Sequence, residues 1–595
     1  MRRLLVVLAV CGAACFSAPV FGGLKPAAPP ELHLLPPVVV EGGESWSIEE
    51  RLKHYNVPGV SVAVIENGRV VFARGYGYAD VEKKRPMTTG TLMLAGSVSK
   101  PVTAIAAIDL VERGKLPLDA DVNSLLRSWQ LPSNELTQNT PVTLRHLLSH
   151  SAGTTVHGFP GYKRDEPIPT TKQVLDGAEP ANTPPVRVDL APNTKFRYSG
   201  GGTTVAQLAL SETAGESFPS LMRRLVLAPL GMRTSTYENP LPAAKHARAA
   251  KGYRASGRLI PGGWHVYPEM AAAGLWTTPS ELARVAIEMG DALAGRPTRV
   301  LSIDGARLML TPRFEVSPTN DIGIGWFLDD RGTFGHDGSD EGFITRFVAS
   351  KDGTRAFVIM VNSDAGGPLL GELDRGIMRA FGWPGVTAPR ATRAFTAEML
   401  DRLPGRYKQG PDRILSVRRS GDTLELRTVD GRWVRLYHLD DGTITRTDAD
   451  QRFRLTDDGL EIVADKPTPL PRTTEAPAPS ELLAEGRTEE AVTAYRASKP
   501  DVLTLNRLGG SYQRFGRRYR EAVAILRVAT ELYPESSNAW DSLASALADS
   551  GDFPGAIEAT NNALARVDAD KVADETQKFW IRLLGKTRLR ELASR

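Results

Sequence analysis

Cysteine is nearly missing from this chain. Its 595 residues hold two, Cys11 and Cys15, both within the first sixteen positions. That excludes a disulfide scaffold, a cysteine-ligated zinc and thiol redox chemistry from everything downstream. An excess of one charge is also missing. There are 73 Lys and Arg against 69 Asp and Glu, a formal net charge of +4. Without a basic surplus, nucleic-acid binding driven by bulk charge is not expected. No long apolar run occurs beyond the N-terminus, so the mature chain is expected to carry no transmembrane span. What is present is globular in character: 41% hydrophobic and 24% charged residues. The 55 Gly and 42 Pro supply many turns but follow no collagen period.

Arg2 and Arg3 precede a mostly apolar stretch from Leu4 to Ala18, followed by small residues around Val20-Phe21-Gly22. This pattern predicts a secretory signal over residues 1–22, and hence a periplasmic or secreted protein. Two alternatives stand beside it: an N-terminal membrane anchor, and lipid attachment at Cys15. The second lacks the usual Leu three residues before the Cys, where Gly12 stands.

Residues 23–44 are rich in proline and read as a linker. From 45 to 388, strand and helix patterns mix. Val60 to Ile65 is a strand, Asn67-Gly68 a turn, and Val70 to Ala73 the returning strand. Ile105, Ile108 and Val111 give the segment 100–112 a helical period. Residues 395–465 consist of short alternating runs split by Gly421, Gly431, Gly442 and Gly459 turns. They predict a small antiparallel β unit, barrel-like in form. A second linker is expected over 466–479. Residues 480–595 read as helical repeats: Ala522 and Ala556 lie 34 apart, as do Ala529 and Ala563. Those spacings resemble tetratricopeptide repeats, whose stacked helices offer a concave face to a protein or peptide partner. An unrelated helical bundle is the alternative.

The chemistry concentrates at Ser97-Val98-Ser99-Lys100, directly before the apolar helix. One helical turn separates Ser97 from Lys100, so the two side chains share a face. A serine hydroxyl is a poor nucleophile until a base takes its proton. A lysine amine can be that base if burial lowers its pKa. Alone, S-x-x-K is a weak signal. Further on come Tyr198-Ser199-Gly200 and Gly335-His336-Asp337-Gly338-Ser339-Asp340-Glu341-Gly342. Together with Val57-Pro58-Gly59, the stretch 143–153, Pro229-Leu230-Gly231-Met232 and Gly323-Ile324-Gly325-Trp326, their order resembles the serine β-lactamase and penicillin-binding-protein family, in its class C branch. The resemblance covers roughly residues 45–385.

The resemblance implies an α+β fold: a sheet with flanking helices, followed here by the β unit, similar to a lipocalin-like appendage, and the helical tail. It implies that Ser97 is acylated and that Lys100 holds the proton network. Tyr198 would be the general base, with its phenol pKa well below the usual ~10. Backbone N–H groups of Ser97 and Ser339 would form the oxyanion hole. His336, Gly338 and Gly200 would meet substrate. No metal and no cofactor is implied.

Two motifs depart from the family. Gly200 replaces its Asn, and His336-Asp337-Gly338 replaces its Lys-Thr-Gly. A neutral His removes fixed positive charge, and Asp337 adds a negative one. Similar His-x-Gly variants occur among the family's esterases and aminopeptidases. The expected function is therefore an exported serine hydrolase acting on ester or amide substrates. A D-Ala-D-Ala peptidase or β-lactamase is the alternative within the enzyme class. A non-catalytic scaffold acting through the repeats is the alternative outside it. His150 is expected to fix a loop near the site. Asp119 to Asn123 imitates a calcium loop but lacks its sixth-place glycine, so metal binding there is not expected. Arg514, Arg517, Arg518 and Arg520 read as a solvated face, with an anionic partner as the alternative. Trp276 and Trp326 belong to a pocket wall or to the core.

Overall fold

A computed structural model describes residues 30–385 and 388–593. The predicted signal segment and both cysteines lie outside them.

The N-terminal region is built on a nine-stranded sheet. Its strands are β1 (Gly59–Glu66), β2 (Arg69–Asp80), β3 (Arg85–Pro86), β4 (Phe314–Ser317), β5 (Asn320–Ile322), β6 (Phe327–Asp329), β7 (Thr333–Asp340), β8 (Phe343–Ser350) and β9 (Arg355–Val361). The spatial order is β3-β2-β1-β9-β8-β7-β6-β5-β4, with every pair antiparallel. Strand β1 is buried on both faces, and its alternation divides two cores. Val60, Val62 and Val64 face one core with α1 (Ile48–Tyr55); Ala63 and Ile65 face the larger one. At the centre of the larger core lies α2 (Ser99–Glu112), buried from Ser99 to Leu110. Helices α3 (Gly200–Ala214) and α4 (Pro279–Leu293) share that core. Helix α5 (Gly367–Ala380) returns to the first, smaller one. Trp276 and Trp326 are fully buried in the larger core.

The segment expected to be a linker at 23–44 is instead part of the fold where it is described. Leu32, Leu34, Val38 and Val40 are buried, and the Leu34 and Trp46 backbones exchange hydrogen bonds of 2.8 and 3.1 Å. Apolar residues between the prolines give this stretch something to bury.

The β unit is a nearly closed antiparallel sheet of β10 (Gly405–Gly410), β11 (Arg413–Ser420), β12 (Thr423–Arg427), β13 (Trp433–Leu439), β14 (Ile444–Arg446), β15 (Arg452–Leu455), β16 (Gly459–Ile462) and β17 (Thr468–Pro471). Strand β17 corrects the second linker expected at 466–479. Leu470 points inward and is fully buried, while Pro469 and Pro471 face out. Prolines are tolerated at such an edge, where no ladder N–H is needed. The bridge between Tyr407 and Arg472 brings the ends of the sheet together. Tyr407, Leu424, Leu426, Leu436, Phe453 and Leu470 fill the interior.

The C-terminal region is helical: α6 (Pro479–Ala484), α7 (Thr488–Ser498), α8 (Val502–Ser511), α9 (Tyr519–Leu532), α10 (Ser537–Ser550), α11 (Phe553–Arg566) and α12 (Glu575–Leu592). Ala522, Ala529, Ala544, Ala556 and Ala559 are buried between them. These small side chains let the helices approach closely. No helix among the described residues is long and apolar enough to cross a membrane.

Candidate active site

Ser97 sits on a tight 3-10 turn, Gly96–Val98, that feeds α2. Gly96 takes φ +54°, in the region that favours glycine. The Ser99 hydroxyl pins the turn, donating to Gly96 O at 2.6 Å and accepting from Leu275 N at 3.0 Å. Between Thr91 and Lys100, Ser97 alone is not buried. The Ser97 side chain is thus presented at the surface of a buried core.

Lys100 donates to Ser97 Oγ at 2.9 Å and to Ala272 O at 2.8 Å. Burial pushes its pKa down to about 7, against an opposing pull from Asp340. The amine is therefore poised between its two forms near neutrality. Its ammonium nitrogen stands 5.0 Å from the centre of the Tyr198 ring.

Tyr198 departs from the sequence expectation of a lowered pKa. Burial raises its pKa well above the usual value, and hydrogen bonding with Ser97 only partly opposes this. Desolvation of a phenolate dominates here, and Asp340 pushes in the same direction. The side chain is a neutral phenol in an aromatic nest. The rings of His150 and His157 lie 4.3 and 4.9 Å away, Phe327 6.4 Å and His336 6.1 Å. His150 also accepts the Ser199 N–H at 3.2 Å, so it fixes the start of α3 as well as the Tyr198 ring.

The β7 segment runs past the end of β6, which pairs with β7 only at Phe334 and Gly335. Its freed edge lies against the Ser97 turn. A Cβ at Gly338 would fall 2.0 Å from Ala95 O, so only glycine permits this approach. A Cβ at Gly96 would lie 2.6 Å from Ser339 N. The two expected oxyanion donors thus come from neighbouring backbone. His336 is buried and neutral: burial and Lys100 push its pKa down to about 4. Its Nδ1 pairs with Asp337 O at 2.6 Å, and its Nε2 has no partner. Asp337 points the other way, into a two-pronged pair with Arg346 at 3.0 and 2.7 Å. Its negative charge is neutralised there and does not act as an isolated anion in the site. A cleft of about 500 Å³ is lined by His157, Tyr198, Phe327, His336, Asp337 and Arg346.

Residues 47–380, more than half of the chain, match the Beta-lactamase family. The chain belongs to the beta-lactamase family. The beta-lactamase domain is 30% identical over 241 residues to a Beta-lactamase of Escherichia coli K12, covering 40% of this chain and 58% of that protein. It is 26% identical over 233 residues to Protein flp of Staphylococcus aureus N315, covering 39% of this chain and 44% of that protein. The matches therefore span only about half the length of these relatives. In three dimensions, the octameric penicillin-binding protein homologue from Pyrococcus abyssi superposes with a TM-score of 0.51. That match has 24% identity and covers 71% of this chain and 97% of the other.

Within the beta-lactamase domain, Gly200 does not line the cleft. A Cβ there would meet the Phe159 ring at 2.9 Å and His157 O at 3.2 Å. The space of the family's asparagine is occupied by this loop. Sequence reasoning missed His157 and Phe327, and gave no role to Asp340. Asp340 is buried, and Lys100 works against the strong upward push of burial on its pKa. Its place four residues beyond His336 on β7 was the available signal. The β unit contributes nothing to the lining of the cleft.

Proposed function

We propose that the protein is an exported serine hydrolase that acylates Ser97 with an uncharged ester or amide substrate. The observation that carries this reading is the 2.9 Å hydrogen bond from a buried Lys100, held near pKa 7, to an accessible Ser97. Neutral Lys100 takes the Ser97 proton as Oγ attacks the carbonyl carbon. The carbonyl oxygen becomes an oxyanion facing the N–H groups of Ser97 and Ser339, donors typically worth roughly 3–4 kcal/mol each in the transition state. The carbon–oxygen or carbon–nitrogen bond then breaks. Tyr198, protonated at rest, relays the proton held by Lys100 to the departing alcohol or amine. Water repeats the sequence in reverse to free the acid and restore Ser97.

The preference for uncharged substrates follows from His336. A neutral imidazole offers a hydrogen bond but no fixed charge to hold a carboxylate, and Arg346 in the same cleft is engaged by Asp337 and Asp374. This favours an esterase or amidase over an enzyme for anionic β-lactams. The helical tail is read as a tetratricopeptide-like array that binds a protein or peptide.

The test is turnover of p-nitrophenyl acetate and butyrate by the wild type and Ser97→Ala, with fluorophosphonate labelling of Ser97. Turnover and labelling that vanish together in the variant support the reading. A correctly folded wild type that neither turns over nor labels would leave the scaffold reading in its place.

A further inference from the structure

Helix α12 lies outside the matched family region, yet it reaches the active site. The Trp580 ring packs edge-on against His157 at 5.5 Å, and His157 in turn lies 4.9 Å from Tyr198. A Cβ at Gly158 would come within 3.1 Å of the Trp580 ring, so the loop and the helix are in close contact. Phe579 packs on the core of the beta-lactamase domain. Lys163 donates to Arg590 O at 2.5 Å.

The far end of α12 is fixed as well. Glu591 pairs with Arg254, which also pairs with Glu341 and, at 3.2 Å, with Asp364. Asp364 accepts the Gly342 N–H at 2.6 Å. Glu341 and Gly342 form the turn that directly follows Ser339 and Asp340 on β7. From Trp580 to Glu591 the helix runs about 16 Å, at 1.5 Å per residue. It thus joins the Tyr198 loop to the turn beyond the oxyanion strand.

We propose that Trp580, carried on α12 and packed on His157, is a specificity-determining residue that limits the size of the leaving group. This rests on the acyl-enzyme reading above. The leaving group must depart beside Tyr198, because Tyr198 hands it a proton. The wall behind that position is His157 backed by Trp580. Small alcohols or amines fit; bulky ones meet a wall braced by a second domain. The substrate class is therefore esters or amides with compact leaving groups.

The test compares kcat/KM for phenyl acetate and 1-naphthyl acetate in the full-length protein. Trp580→Ala is expected to raise the naphthyl-to-phenyl ratio about tenfold or more, the scale of discrimination by pocket size. Trp580→Phe should keep the wild-type ratio, and Trp580→Leu should fall between. In a His157→Ala background, Trp580→Ala should add less than it does alone. Labelling of Ser97 by a fluorophosphonate is measured on every variant and separates the two hypotheses. An unchanged ratio in Trp580→Ala and Trp580→Leu, with Ser97 still labelled, overturns the role of Trp580 and leaves the hydrolase reading intact. Loss of labelling in the wild type overturns both.

Discussion

Replacing Lys100 with methionine should abolish acylation of Ser97 and at the same time stabilise the folded protein at neutral pH. The magnitude follows from burial. An unfolded lysine titrates near 10.5, whereas the buried Lys100 titrates at about 7. At pH 6.5 both states carry the charge, and the folded state bears a penalty of about 5 kcal/mol. Methionine removes that penalty but leaves Ala272 O without its 2.8 Å donor. An unsatisfied buried carbonyl costs roughly 1–3 kcal/mol. The net gain at pH 6.5 is therefore about 3 kcal/mol. Between pH 7 and 10.5 the unfolded lysine holds a proton that the folded one does not. Unfolding then takes up a proton, and raising the pH stabilises the wild type. Its deficit relative to the variant should shrink by about 3 kcal/mol by pH 9.5. Urea titrations of both proteins from pH 6.5 to 9.5, with fluorophosphonate labelling in parallel, measure this. A variant less stable than the wild type at pH 6.5, or a difference that does not move with pH, would refute the reasoning.

Gly338→Ala places a methyl 2.0 Å from Ala95 O and must push β7 away from the Ser97 turn. With one oxyanion donor displaced, kcat should fall about 10²-fold or more, measured on p-nitrophenyl acetate. Gly200→Asn restores the family's residue but drives it into Phe159 and the His157 backbone. It should destabilise the domain by about 1–3 kcal/mol in urea unfolding, with no gain in β-lactam turnover.

Much of this site was legible because its chemistry is local. Ser97 and Lys100 are three residues apart and lead into an apolar helix, so spacing alone brings their side chains together. Gly338 was legible because only glycine suits a backbone approach of this closeness. The protonation of Tyr198 was not. The sign of its shift depends on whether burial outweighs the hydrogen bond with Ser97, and the rings around it, His150, His157, Phe327 and His336, converge from separate segments. Trp580 lay further out of reach. Nothing in a C-terminal helical pattern says which face meets a loop near residue 157. The missed strand β17 has a simpler cause: two prolines in four residues mask the single inward Leu470.

Asp340 gives the sharpest means of asking whether Lys100 is the base. Its carboxyl group is buried, accepts a hydrogen bond from the Gly96 backbone, and leaves Oδ2 without a partner. When ionised it raises the Lys100 pKa, working against the burial that lowers it. Asp340→Asn preserves the shape and the acceptor for Gly96 while removing the ionisable group. Lys100 should then lose its proton at a lower pH. If neutral Lys100 takes the Ser97 proton, kcat/KM for p-nitrophenyl acetate rises with pH through an inflection near 7 in the wild type. The inflection should move to lower pH in Asp340→Asn. His336 supplies no competing step there, because its own titration is pushed down to about 4. An inflection that moves to higher pH would mean that the group controlling acylation is not Lys100; one that stays in place would mean that burial already holds Asp340 protonated at this pH, and Lys100→Met would then have to decide whether Lys100 is the base.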